Sequence, residues 1–434
     1  MSTLKQTFAT HLTSLIVLLG LFICSCSPTK TLTQNQYLLN NTKIKTKLHS
    51  LDRDEVNAFI KQKPNKKLFG FFRFYLLAHN YSKSGKQNRF KRWVDSTIAE
   101  EPVIYDSILT QRTISQLQLY LIKKGYFEST VKDSVFIKNK KATVIYELIG
   151  NTQFTFNKID YDIKDETIRR LIFSDTSKSN IKTGQAFDQT NIELERDRLT
   201  YLIRNNGYFG FTKDYIKLLA DSSNKTHSIH ASLIINNPET KSQHERYLIK
   251  DIFLYTNFLL TKRNEIFSDT LIYKDHYKFI FNKKIDYKKE ILIRPIFFEP
   301  DHNFSQSNVE ETYKQYQNLK IFSNVNLEFI DVSDSVGKKV NAIIRLSPLK
   351  RQTYSIESEG TNSSGYFGIR GNLVYQNKNI FKGAEIFQIK TGLELKQLPN
   401  IVTDNQNTAE QLKNYTFNTI EIGPELSLTI PRFS

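Results

Sequence analysis

Leu119–Thr130 reads LYLIKKGYFEST, and Tyr201–Thr212 reads YLIRNNGYFGFT. Both carry an apolar helical pattern into Gly-Tyr-Phe and then into strand-like residues. Lys314–Val325, KQYQNLKIFSNV, keeps the apolar positions but has Lys320 where the glycine stood, followed by Ile321 and Phe322. A glycine just past a helix adopts the left-handed conformation at little cost and stops the helix there. Gly125-Tyr126-Phe127 and Gly207-Tyr208-Phe209 are therefore predicted turns from a helix into a strand. A helix ending that recurs implies a module that recurs.

The second copy is the most legible. Phe154–Ile163 (FTFNKIDYDI) alternates as a strand with one irregular step, and DETIRRLIF from Asp165 is a short helix with an acidic start. Asp188 is placed to cap a longer helix with Ile192, Leu199, Leu202 and Ile203 on its apolar positions. Tyr208–Leu219 and His227–Ile235 read as two strands about a polar turn, giving β-α-α-β-β in under 90 residues. In the first copy Ile114, Leu117 and Leu121 share a helix face, with STVKDSVFIK and KATVIYELI as strands. The third begins at RYLIKDIFLYTNF. Its second helix is expected from about Ser307, with Ser307 and Glu310 as a capping box, and NVNLEFIDV and KKVNAIIRLSP follow. Losing the glycine at Lys320 predicts a differently shaped helix end there.

Length and composition fit this reading. The 434 residues suffice for about three or four units. The chain is aromatic, with 31 Phe and 22 Tyr against one Trp, and basic, with 61 Lys and Arg against 44 Asp and Glu. The cations are dispersed, as on solvated faces. At the N-terminus, Lys5 and His11 precede the apolar run Leu12–Ile23. Its 12 residues are too few to cross about 30 Å of hydrocarbon and suit a signal peptide. The run leads into ICSCS, 23–27, where Ile23, two small residues and Cys26 resemble the lipobox of bacterial lipoproteins. That resemblance implies cleavage after residue 25 and lipidation of Cys26. Ser27, in place of an inner-membrane-retaining aspartate, favours the outer membrane. With Cys24 removed and Cys26 acylated, no disulfide or thiolate metal site is expected. Export also excludes nucleic acid as an ordinary partner.

The three modules together resemble POTRA domains, the periplasmic modules of BamA/TamA-type outer-membrane assembly proteins. The lipobox followed by TKTLTQNQYLLNNTKIK resembles the lipoprotein branch of that family. The implied fold is α+β: tandem β-α-α-β-β POTRA-like modules followed by the first strands of a transmembrane antiparallel β-barrel. The expected limits are 1–25 for the signal, 26–151 for module one, 152–240 for module two, 245–350 for module three and 351–434 for the barrel part. Module one carries a basic aromatic insertion near 62–95 (KKLFGFFRFYLLAHNY at 66–81, then SKSGKQNRFKRW). It reads either as an interfacial segment on the membrane or, preferred here, as an insertion whose aromatics pack into the module. After Pro348, Phe367–Tyr375, Phe387–Leu395 and Ile420–Ile430 alternate with period two, with QTYSIESEG in front of them. LVYQNKNIFKGAE (373–385) resembles the family's first barrel hairpin. Residues 351–434 number 84, room for about five transmembrane strands where the smallest barrels use about eight. The barrel is thus expected to be incomplete, the sequence being a fragment or a truncated gene product.

No catalytic motif stands out: there is no G-x-S-x-G, phosphate loop or H-E-x-x-H. His227 and His230, three apart in a predicted strand, point to opposite faces. Asp160 and Asp162 fit a solvated strand face. No cofactor, metal or enzymatic activity is expected. The family resemblance implies an assembly, insertion or translocation factor whose modules receive unfolded outer-membrane or surface polypeptides by β-augmentation, lodged in outer-membrane lipid beside other assembly-machinery subunits. The receiving edge is placed on YFGFTKDYIKL, with Tyr208, Phe209, Phe211 and Tyr215. The alternative is a lipid-anchored periplasmic scaffold that docks a partner. Two-partner secretion fits less well, because those transporters carry fewer modules and no lipobox.

Overall fold

The computed structural model describes residues 29, 32–70, 72–223, 226–239, 241–259, 267–282, 284–363, 366–396, 417 and 419–432. Cys26, the signal segment and most of the polar loop after Lys396 lie outside them. The chain divides into two compact units: Met1–Asp162 with Ser179–Glu195 and Leu218–Ile234, and Ile163–Lys178 with Arg196–Lys217 and Ile235–Ser434. The division passes through the 152–240 stretch, not at its ends.

The first unit opens with β1 (Leu38–Thr46), α1 (Arg53–Ala58), α2 (Phe74–Ser82), α3 (Arg89–Thr97), α4 (Ser107–Lys123), β2 (Thr130–Lys138) and β3 (Lys141–Ile149). The sheet order is β1-β3-β2, with β1 parallel and β2 antiparallel to the central strand. Asn139 and Lys140, both at positive φ, make the tight turn whose twist matches a two-stranded ribbon. Strand β3 buries every second residue, and Val144, Tyr146 and Leu148 meet Leu117, Tyr120 and Leu121 in one core. Asp106 starts α4 by accepting from the Ile108 and Leu109 amides.

The basic insertion forms the α2–α3 arm. Its hold on the module is aliphatic and polar: Leu76 packs with Leu32 and Leu38, and Arg73 donates to the Asn40 carbonyl at 2.5 Å. Phe72 and Tyr75 are half-buried, but the other described aromatics of the insertion do not pack inward as expected. Phe69, Phe74, Tyr81, Phe90 and Trp93 are all exposed, and Val94 alone is buried on α3.

Next come β4 (Thr155–Ile163), α5 (Glu166–Phe173), α6 (Gln189–Asn205), β5 (Ile216–Ser223) and β6 (Ser228–Ile235), with sheet order β4-β6-β5. Asp165 caps α5 as its acidic start implied, and Asp188 accepts from the Thr190 amide at the start of α6. Strand β5 starts at Ile216, eight residues later than Tyr208. The Phe209 and Phe211 carbonyls, at 2.7 and 3.2 Å, are taken by the Arg204 guanidinium and not by a neighbouring strand.

The second unit continues with β7 (Leu248–Tyr255), β8 (Asp269–Tyr273), β9 (Tyr277–Phe281), α7 (Lys289–Ile293), α8 (Gln306–Asn318), β10 (Phe322–Asp331) and β11 (Lys339–Pro348). Its sheet has five strands, β10-β11-β7-β9-β8. The β8–β9 hairpin, turned by Lys274 and Asp275 at positive φ, is absent from the β-α-α-β-β reading. It covers the edge of β7 that a bare module leaves open. Beneath the sheet, Ile249, Ile252 and Leu254 share a core with Leu292, Phe298, Phe304 and Tyr316. The last element is a four-stranded antiparallel sheet, β12 (Gln352–Ser363), β13 (Tyr366–Lys378), β14 (Ile386–Lys396) and β15 (Thr419–Thr429), in sequence order. No closed barrel is formed among the described residues.

Candidate functional site: joints, edges and a two-faced sheet

At the end of α4, Gly125 turns at φ +83°. Tyr126 folds into its own module's core and bonds Ser50 Oγ through its hydroxyl at 2.5 Å. Phe127 reaches the other way, its ring 4.9 Å from Phe154 and 5.3 Å from Phe187. The Gly125 carbonyl accepts from the Phe154 amide at 3.0 Å, at the threshold of β4. Lys124 meets Asp188, the cap of α6, at 3.0 Å. Burial alone raises the Asp188 carboxyl, but its bonds from Lys124 and the Thr190 amide outweigh that and hold it low.

The end of α6 repeats the pattern. Gly207 turns at φ +100°, and its carbonyl accepts from the Tyr247 amide at 2.9 Å beside β7. Phe209 packs on Tyr247, Phe304 and Phe329. Asn205 Oδ1 accepts from Ser305 Oγ, Ser307 Oγ and the Ser307 amide at 2.7–3.0 Å. The cap of α8 is Ser305, two residues before the expected Ser307, because the Ser307 amide and hydroxyl are committed to Asn205. At the third copy Lys320 takes a positive φ of +54° without glycine, and β10 starts two residues on, at Phe322. The Ile321 carbonyl accepts from Leu349, and Phe322 is buried beside Tyr287 and Tyr316. The first two helix ends therefore place a carbonyl against the next module, and the third places one against the end of its own, at Leu349. The glycines stand where the next module is close: a Cβ on Gly125 would meet the Phe187 carbonyl at 2.8 Å, and one on Gly207 would meet Arg246 at 3.3 Å.

The four residues expected on a receiving edge precede β5. Tyr208, Phe211 and Tyr215 line a cleft of about 210 Å³ with Tyr247, His244, Lys241 and Glu245, while Phe209 belongs to the joint. His244 lies against the Phe211 and Tyr215 rings, and its Nε2 is 2.9 Å from the Asn236 carbonyl. Burial pushes this imidazole below its ordinary pKa. The edge itself is β5, outermost in β4-β6-β5, with Leu219 exposed. His230 Nε2 contacts Asp160 Oδ2 at 2.7 Å on a half-exposed strand face. Bonds from Lys158 and His230 hold the Asp160 carboxyl low, which describes an ion pair and not a catalytic dyad. No group of three or more His, Cys, Asp or Glu among the described residues could hold a metal.

The four-stranded sheet has two unlike faces. Tyr354, Ile356, Ile369, Leu373, Leu393, Ile420, Ile422 and Leu426 lie on one, from 45% to 86% exposed. The register stacks them across strands, Leu393 opposite Ile422 and Ile356 opposite Leu373. The other face is a charge ladder. Lys390 stands 3.3 Å from Glu357 and 3.7 Å from Glu359. Arg370 Nε donates to Glu394 at 2.8 Å, and Lys396 bridges Glu394 and Glu421. The β13–β14 hairpin is held at its tip. Asn379 donates to the Asp286 carbonyl and accepts from Ala384 N, and Ala384 is buried in the core shared with β7. Sequence reading placed Asn205 only at the stop of its helix, and missed its bonds to Ser305 and Ser307 as well as Asn379 and the β8–β9 hairpin. The alternation of Leu271, Tyr273, Tyr277, Phe279 and Phe281 about Lys-Asp-His was the available signal for the last.

No family model matches this chain, and no curated protein matches it significantly. Solved structures do. The structure of Haemophilus influenzae BamA POTRA3-5 aligns with 73% of this chain and 99% of its own, at TM-score 0.37 and 10% identity. POTRA1-3 of Omp85 from Anabaena aligns with 73% and 98%, at TM-score 0.23 and 11% identity. CdiB from Acinetobacter baumannii aligns with 57% of this chain and 39% of its own, at TM-score 0.27 and 8% identity. Its structural neighbours are POTRA and Omp85-type proteins.

Proposed function

We propose that this chain is a non-enzymatic outer-membrane protein assembly or translocation factor. Acylated at Cys26, it carries its α+β modules in the periplasm and lodges the four-stranded sheet in the membrane as part of a barrel wall. The observation that carries the reading is the sheet. Apolar side chains crowd one face and a charge ladder lines the other, the alternation that a barrel needs between lipid and lumen. In water, such an uncovered apolar face is unfavourable at about 25 cal/mol per Å². An open sheet in lipid would leave its edge groups unpaired, so further strands must complete it. The modules receive unfolded polypeptide along β5, where backbone bonds give affinity without demanding a particular sequence.

A photo-crosslinking residue at Leu219, with one at Lys178 as control, tests the receiving edge. An unfolded outer-membrane polypeptide should crosslink at 219 and not at 178. Proline is then placed in turn at Leu218, Leu219, Ala220 and Asp221. Edge positions whose amide faces away from the sheet tolerate proline, so some variants keep their fold. Folded proline variants that still crosslink fully would count against augmentation on β5.

A further inference from the structure

We propose that the α2–α3 arm is a membrane-surface contact whose partner is an anionic lipid bilayer. The helical step of about 100° sets Phe90, Trp93 and Val94 in one stripe of α3. Val94 is buried, while Phe90 and Trp93 stand 57% and 51% exposed with their rings stacked at 5.8 Å. Lys83–Val94 (KSGKQNRFKRWV) holds five cations and no acid. Two of these are engaged: Lys83 pairs with Asp95 at 2.8 Å, and Lys91 lies 5.2 Å over the Tyr81 ring. Lys86, Arg89 and Arg92 are exposed and have no carboxylate partner among the described residues. Aromatic rings beside free cations suit the headgroup layer, where the ring enters the acyl boundary and the cation stays with phosphate.

Position along the chain fits the same partner. Leu32 packs on Leu76 of α2, and Cys26 lies six residues before Leu32. Six residues reach at most about 20 Å, so a lipid on Cys26 keeps the arm beside a bilayer. The inference draws on the Cys26 reading for that proximity alone.

Trp93 is the only tryptophan, so fluorescence excited at the red edge, where tyrosine does not absorb, reports on this arm. The full chain carrying Cys26→Ser is added to preformed vesicles of phosphatidylcholine, with or without phosphatidylglycerol. Trp93 emission should move to shorter wavelength and lose acrylamide quenching only with phosphatidylglycerol. Replacing Lys86, Arg89 and Arg92 together by Gln should weaken that response about a hundredfold, at roughly fivefold per charge. Unchanged emission with both vesicles overturns the proposal, and so does an equal shift with both. A shift with polyglutamate but not with phosphatidylglycerol overturns it in favour of an acidic polypeptide. Insertion of the four-stranded sheet is read separately by its protease resistance. A protected sheet beside a solvent-exposed Trp93 would therefore defeat this inference and leave the barrel reading standing.

Discussion

Lys320 shows what the repeated turn demands. A left-handed residue other than glycine is disfavoured by about 1–2 kcal/mol, yet Lys320 stands at φ +54°, on the same left-handed side as Gly125 and Gly207. The left-handed turn is thus present at all three positions, and glycine stands where a neighbour also crowds the Cβ. Gly125→Ala, which adds strain and a close approach to the Phe187 carbonyl, should cost about 2–4 kcal/mol in denaturant unfolding. Gly210→Ala, with open space around it, should change little, and Lys320→Gly should stabilise by about 0.5–1 kcal/mol. His244 gives a pH signature. Its folded pKa lies below the unfolded value because burial disfavours the charged ring, with the Asn236 carbonyl and then Asp165 acting the other way. The unfolded state therefore binds the proton more readily. Its contribution is fully present above about pH 6.5 and is lost as pH falls through the lower folded value. Thermal unfolding followed from pH 7.5 to 5 should show this slope in the native chain and a shallower one in His244→Phe.

Among elements, the helices that end in Gly-Tyr-Phe were legible because a 3.6-residue pattern gives way to a two-residue one at a glycine. What those ends touch was not legible, since Asn205 and Ser305 are a hundred positions apart. Asn205→Ala leaves the first turn of α8 without its outside acceptor and should cost about 1–2 kcal/mol. Asn205→Asp should recover most of that loss, both read from the same unfolding transition. The onset of β5 was misread for a local reason. Tyr208, Phe209 and Phe211 have strand-like composition, but Arg204, its own pKa lowered by burial, claims the Phe209 and Phe211 carbonyls, and the Tyr208 carbonyl turns to the Phe211 amide. The β8–β9 hairpin was missed because the modular template left no place for it, although its alternation was on the page.

For the whole molecule, period two after Pro348 gave the four strands and their faces, because a sheet with one solvent-incompatible side must alternate strictly. How such a sheet is completed lies in pairings outside these four strands. If the apolar face meets lipid, Ile422→Arg should hinder membrane integration by about 2–4 kcal/mol near mid-depth. Ser427→Arg, on the ladder side, should integrate normally. Carbonate extraction of membranes bearing each variant separates the two outcomes.

The carbonyls of Gly125 and Gly207 accept from the amides of Phe154 and Tyr247, which belong to the segment that follows each of those modules. If the chain is threaded across a membrane N-terminus first, the Phe127 and Phe209 rings project without Phe154 and Tyr247 until the following segment emerges. The order of translocation is thereby written into the order of closure. The same two positions are where a pause in that passage would leave the chain most open to capture by a chaperone.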